Sequence, residues 1–257
     1  MYTPIFRTKK NGVPILSKDE LDIIGERFVA DFCPKAVQIP MEIDIDRFVC
    51  RHLGMKQDFQ YLSHNGIYLG MTVFNDTDKI PIYDPEQGRA DYISAEAGTI
   101  IIDNNLLDDK QEHRYRYTVG HESGHGILHP GYFGYNPDQM SMFDADYAPM
   151  ITCRMESKGA VRTPPNQWTD KKRMEWQADF LSSTILMPKS MVLKLVDTLS
   201  ARTSIWLPAP YVYETSRTFN VSYEAAEYRL KHLKCISNDV SIHDATFGFM
   251  DVLDIAM

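Results

Sequence analysis

Apolar positions first recur at helical spacing between residues 17 and 32. Leu21, Ile24, Phe28 and Val29 share one face, and Ser17-Lys18-Asp19-Glu20 supplies a capping box ahead of them. Cys33-Pro34 ends this predicted helix, because proline lacks an N–H donor and disfavours helical geometry in the residue before it. A second helix is predicted from about Glu42 to Leu53, with Ile45, Phe48 and Val49 inward and Gly54 as its cap. The period then changes. Ile67 to Phe74 alternates Ile67, Leu69, Met71 and Val73, and Lys79 to Tyr83 alternates Ile80 and Ile82. Thr99 to Asp103 is an unbroken isoleucine run, and Asp76, Asp84-Pro85 and Gly88 punctuate these segments as turns. The pattern predicts a small three-stranded sheet, with Thr99–Asp103 as the edge strand beside the next helix.

Helical spacing returns after the charged segment Lys110–Arg116. Tyr117, His121, Gly124, His125 and Leu128 form one inward stripe, and Pro130-Gly131 stops the helix. Met174, Ala178, Leu181 and Ile185 mark a further buried helix. Between the two, residues 130–170 hold Pro130, Pro137, Pro149, Pro164 and Pro165 with Gly131, Gly134 and Gly159, a composition that suits a long, largely irregular loop. Such a loop is either a lid over a cleft or a passive insertion. Pro188 opens a short amphipathic helix over Met191–Leu199; Ala201–Phe219, with Trp206, Pro208 and Pro210, reads as a connector. Ser222 caps a last helix carrying Ala225, Ala226, Arg229, Leu230 and Leu233, and no helix with a tight turn precedes it, so packing rather than DNA reading is its expected role. Together the elements predict an α+β fold: an N-terminal helical extension (1–37), a core (38–200, with 130–170 inserted) and a C-terminal helical extension (201–257).

The stripe at 117–128 changes the picture from packing to chemistry. Residues four apart on a helix project side by side, so His121 and His125 can direct two imidazole nitrogens at one metal ion. Glu122 lies about 100° around the axis, where it can take a proton from a water. His121-Glu122-Ser123-Gly124-His125 is thus a His-Glu-x-x-His pattern, the signature of zinc hydrolases. A tetrahedral catalytic zinc takes a third protein ligand, and Glu175 adjoins the apolar stripe of the later helix. Asp179, four residues on, can accept a hydrogen bond from the distal N–H of a ligand histidine. Cys153 is a poorer third ligand than Glu175. His129, at the helix end against Pro130, is expected to cap the helix or line a cleft, and His52, His64, His113, His232 and His243 to lie on the surface. Tyr132, Tyr135 and Arg154 are alternative donors to a developing oxyanion.

Composition narrows the class. The 257 residues carry a net charge of −8, which argues against nucleic-acid binding as the main activity. The 4 cysteines (Cys33, Cys50, Cys153, Cys235) show no Cys-x-x-Cys pair and suit a reducing compartment. No apolar run suits a signal peptide or a membrane span, so a cytoplasmic protein is expected.

Arg116-Tyr-Thr-Val-Gly-His-Glu-Ser-Gly-His-Gly-Ile-Leu-His129, with Glu175-Trp-Gln-Ala-Asp-Phe-Leu181 and Ile185-Leu-Met-Pro188, resembles the ImmA/IrrE family of metallo-endopeptidases. The Glu-x-x-x-Asp after His-Glu-x-x-His resembles the gluzincin arrangement. The likeness runs over about residues 38–234, with gaps. It implies a zincin-like core around residues 38–200, Zn2+ held by His121, His125 and Glu175, Glu122 as catalytic base and Asp179 behind a ligand. It also implies a protein substrate, such as a helix-turn-helix repressor whose cleavage releases stress-response or mobile-element genes. His125 and Glu175 stand 50 positions apart, longer than the resemblance leads one to expect, hence the predicted insertion. Two other readings fit the same residues: a non-catalytic zinc-stabilised protein that binds a regulator, and the effector of a toxin–antitoxin pair.

Overall fold

The computed structural model describes residues 1–134, 150–154, 164–201 and 208–238, with 150–154 by its backbone alone. It is an α+β protein. Helix α1 (Lys18–Phe32) opens on the capping box, with Ser17 and Glu20 exchanging both hydrogen bonds. A helical turn, α2 (Ile45–Arg47), capped by Asp44, runs into a wider turn over Phe48–His52. The chain then enters strands β1 (Lys56–Gln60), β2 (Tyr68–Val73), β3 (Thr77–Asp84), β4 (Arg89–Ala95) and β5 (Thr99–Asp103). Helices α3 (Glu112–Leu128) and α4 (Pro130–Phe133) follow, then strand β6 (Met150–Arg154). Helices α5 (Asp170–Leu186), α6 (Lys189–Ser200), α7 (Pro208–Phe219) and α8 (Tyr223–His232) complete the described chain.

The predicted three-stranded sheet is replaced by a four-stranded one in the order β1-β5-β2-β6, with β3 and β4 forming a separate hairpin. Strand β5 pairs parallel with β1 and antiparallel with β2, and β2 pairs antiparallel with β6. Thr99–Asp103 is therefore a central strand, not the expected edge. Its isoleucine run explains why: Ile100 and Ile102 enter the main core, while Ile101 joins Leu62, Met71, Val73 and Ile80 in a smaller core under the hairpin. A strand buried on both faces reads as a continuous apolar run. β1 and β4 escape a hydrophobic reading because Lys56–Gln60 and Arg89–Ala95 are largely polar and at least partly exposed. β6 lies in the segment expected to be irregular, and it supplies an edge of the sheet. The lid question concerns residues that lie mostly outside those described.

The presumed connector 201–219 is also corrected. Pro208 and Pro210 sit in the first turn of α7, where the backbone N–H groups have no intrahelical partner, so proline costs little there. The main core draws on α1, the sheet, α3, α5, α6, α7 and α8 alike. Among the described residues, no helix is long and apolar enough to cross a membrane.

Candidate metal centre

α3 begins as a surface helix, then from Thr118 to His125 is buried all round. Two of its glycines make room for α5. A Cβ on Gly120 would lie 2.4 Å from Ser182 Oγ, and one on Gly124 would lie 3.1 Å from the backbone of Ala178. Gly120 and Gly124, four apart on α3, thus face Ser182 and Ala178, four apart on α5, and the two helix backbones come close. That approach brings Glu175 to the histidines.

His121 Nε2 and His125 Nε2 are 2.9 Å apart, and Glu175 Oε2 lies 3.5 Å from the first and 3.7 Å from the second. Atoms with this spacing can all be reached from one point about 2 Å from each, the length of a zinc–nitrogen or zinc–carboxylate bond. Among the described residues these three form the group of metal-ligating side chains whose donor atoms converge. His121 and His125 are at most 2% exposed. Burial works against the charge of Glu175, but the two imidazoles, when they carry a proton on Nε2, hold its carboxyl well below the usual range. Burial pushes the His125 imidazole toward its neutral form, the form that binds metal.

The distal nitrogens are also engaged. His121 Nδ1 meets Asp179 Oδ1 at 2.8 Å, and the Tyr117 hydroxyl reaches the same carboxylate at 3.3 Å. An ionised carboxylate only accepts, so His121 carries its proton on Nδ1 and turns the Nε2 lone pair toward Glu175. His129, the C-cap residue of α3, is fully buried; its Nδ1 lies 2.9 Å from His125 Nδ1 and its Nε2 lies 3.1 Å from Gln177 Oε1. It is not among the converging atoms.

Glu122 is fully buried on the side of α3 that meets β2. The Thr72 hydroxyl bonds its Oε2 at 2.5 Å and its backbone carbonyl at 2.9 Å. Gly70, two residues earlier on β2, leaves space for the carboxyl: a Cβ there would lie 2.7 Å from Glu122 Oε1. Oε1 has no hydrogen-bond partner among the described residues. Burial pushes the Glu122 carboxyl up to about 7, against the pull of His121, when that ring is charged, and of the Thr72 hydrogen bond. Thr72 and Gly70 carry no local sequence signal, since they are the small and polar positions of an alternating strand. Gln177 carries none either; for His129 the sequence suggests a cap or cleft-lining role, and the structure makes it the C-cap of α3.

The remaining sequence candidates divide. Tyr132 is exposed on α4, Tyr135 lies outside the described residues, and the side chains of Cys153 and Arg154 are likewise not described. His64 and His113 are exposed. His52 and His232, expected at the surface, are instead tucked beside Asp31 at 3.3 Å and Asp22 at 3.5 Å, with His52 stacked on Phe48 and His232 edge-on to Phe180. His243 lies outside the described residues. A surface cavity of about 730 Å3, bordered by Lys56, Asp58, Asp78 and Glu96, shares no lining residue with the cluster. Compared with protein-family models and with curated proteins, the chain matches none.

Proposed function

We propose that this protein is a zinc-dependent endopeptidase with a zincin-like core. The observation that most supports the reading is the convergence of His121 Nε2, His125 Nε2 and Glu175 Oε2 on one point next to a buried glutamate that is not itself a ligand. The donor set of two imidazoles and a carboxylate leaves one position of a tetrahedral ion open. Zinc, when bound, supplies Lewis acidity, which lowers the pKa of a water and polarises a carbonyl.

The chain's own groups do the rest. Glu122 takes a proton from the attacking water and hands one to the leaving amine. Burial favours the protonated carboxyl, which helps it hold the proton between the two transfers. Thr72 pins Oε2, so Oε1 is the oxygen left for that exchange. Asp179 orients His121. The substrate follows from the motif resemblance alone: a regulatory protein such as a helix-turn-helix repressor. An intact Glu122 speaks against a purely binding role, which needs no base.

Glu122→Gln tests the reading. The variant is expected to take up zinc like the parent and to lose cleavage of casein, or of a helix-turn-helix protein encoded beside it, by about 100-fold or more. An active Glu122→Gln protein, or cleavage that survives a chelator, would overturn it.

A further inference from the structure

A carboxylate meets His121 Nδ1, but among the described residues none meets His125 Nδ1. That nitrogen starts a buried chain that leaves the metal centre through three further groups. His125 Nδ1 meets His129 Nδ1 at 2.9 Å; His129 Nε2 meets Gln177 Oε1 at 3.1 Å; Gln177 Nε2 donates to the carbonyl of Pro14 at 2.9 Å. His125, His129 and Gln177 are all fully buried, so no group in the chain can exchange its partner for water.

The far end sets the direction. A carbonyl oxygen only accepts, so the Gln177 nitrogen must face Pro14 and its oxygen must face His129. The opposite placement would set two oxygens against each other. Gln177 Oε1 therefore accepts from His129 Nε2–H. The His129 Nδ1 of that neutral tautomer is a lone pair, which accepts from His125 Nδ1–H. His125 is left with a lone pair on Nε2, aimed at His121 Nε2 and Glu175. Reversing any link would move a proton onto His125 Nε2, into the space between the ligand atoms.

The Pro14 carbonyl is itself held in place. Residues 7–15 fold back on themselves, with Lys9 N bonded to Val13 O, Gly12 N to Lys9 O and Ile15 N to Arg7 O. Lys9 and Asn11 both bond Asp170 at the start of α5. Gly12, at φ +88°, sits so close to α4 that a Cβ would lie 2.1 Å from Gly131 O, and Val13 is buried with Phe133 and Met174. The N-terminal segment thereby anchors the hydrogen-bond chain behind His125, some 110 residues upstream of that histidine.

We propose that His129 and Gln177 are positioning residues, and that with the Pro14 carbonyl they impose the Nδ1–H tautomer on His125 so that its Nε2 is ready to bind metal. The inference rests on the zinc reading above for its purpose, but not for its geometry. Gln177→Met keeps the volume and removes both hydrogen bonds. His129→Leu removes the acceptor for His125, whereas His129→Asn keeps an oxygen near the place of Nδ1.

Two readouts on metal-stripped protein decide it, with a thermal melt confirming that each variant is folded. In the first, zinc affinity is measured by competition with a chromophoric chelator. Gln177→Met and His129→Leu are expected to bind about 10- to 100-fold more weakly than the parent, and His129→Asn to recover most of the loss. In the second, the ring 15N shifts of His125 report which nitrogen carries the proton. They should show the Nδ1–H form in the parent and in His129→Asn, and a shift toward the Nε2–H form in the other two. Parental affinity and parental shifts in folded Gln177→Met and His129→Leu would overturn the inference. A parent that takes up no zinc, yet shows the same shift pattern, would sink the zinc reading and leave the tautomer control standing.

Discussion

Among the described residues, a buried ion pair and the cluster around His121 are built on opposite plans. In the first, Asp22 of α1 meets Arg229 of α8, with Oδ1 and Nη1 2.7 Å apart and both residues at most 3% exposed. Arg229 also donates through Nε to the carbonyl of Met187 and lies 5.9 Å over the Phe180 ring. Its charge is spent inside the cluster, on an anion, a carbonyl and an aromatic face. The second cluster gathers His121, His125 and Glu175, and there each distal contact turns a lone pair inward. With neutral imidazoles, acceptors face acceptors, an arrangement that suits the cation of the proposed zinc reading. A buried ion pair ties helices together, whereas converging lone pairs need a positive charge among them, whether a proton or a metal ion.

The sharpest way to break this contrast is to remove one member from each cluster and measure two properties. Arg229→Met leaves Asp22 buried with only the His232 imidazole beside it, so stability should fall by about 3–5 kcal/mol, with zinc affinity of the folded protein within a few-fold of the parent. His125→Ala should do the converse: zinc affinity drops by orders of magnitude, and the stripped protein loses far less stability than with Arg229→Met. Urea melts and chelator competition read both. If Arg229→Met abolishes zinc binding, or His125→Ala unfolds the stripped protein, the division between structural and chemical clusters fails.

A weaker effect concerns pH. The folded state holds the Glu122 carboxyl at about 7, above its ordinary value near 4.5. Between these values the folded stripped protein keeps a proton that the unfolded chain has released, so stability is full below about pH 4.5 and declines as pH rises to about 7. The loss is on the order of 3 kcal/mol. Glu122→Gln should flatten this part of the stability–pH curve measured in chelator. Parallel curves for parent and variant would mean that the carboxyl is not held protonated by its burial.

The smallest effect tests the helix contact that assembles the centre. Gly120→Ala drives a methyl into Ser182 and should cost about 1–3 kcal/mol. Ser182→Gly should relieve that clash, so the double variant is more stable than the two single losses predict. Additive losses would show that Gly120 is not where α3 and α5 make their closest fit.

How much of this was legible beforehand divides along the range of the interaction. The capping box of α1, the stripe on α3 that sets His121 beside His125, and the isoleucine run of β5 could be read directly, because each depends on residues within a turn or a strand of one another. The edge role given to β5 could not hold, since a strand's neighbours are chosen by other strands, and polar β1 announces nothing in its own pattern. α7 was hidden by prolines that local rules treat as breakers but that a first helical turn accepts. The centre shows the same divide. The spacing within α3 is a property of helix pitch, and the pattern on α5 made Glu175 and Asp179 visible. The grip of Thr72 on Glu122, and the link from His125 through His129 and Gln177 to Pro14, come from elements far apart in sequence. Sequence alone determined which atoms could bind a metal. Tertiary packing decided which way their lone pairs point, because that depends on the hydrogen-bond partners that distant segments bring to the far side of each ring.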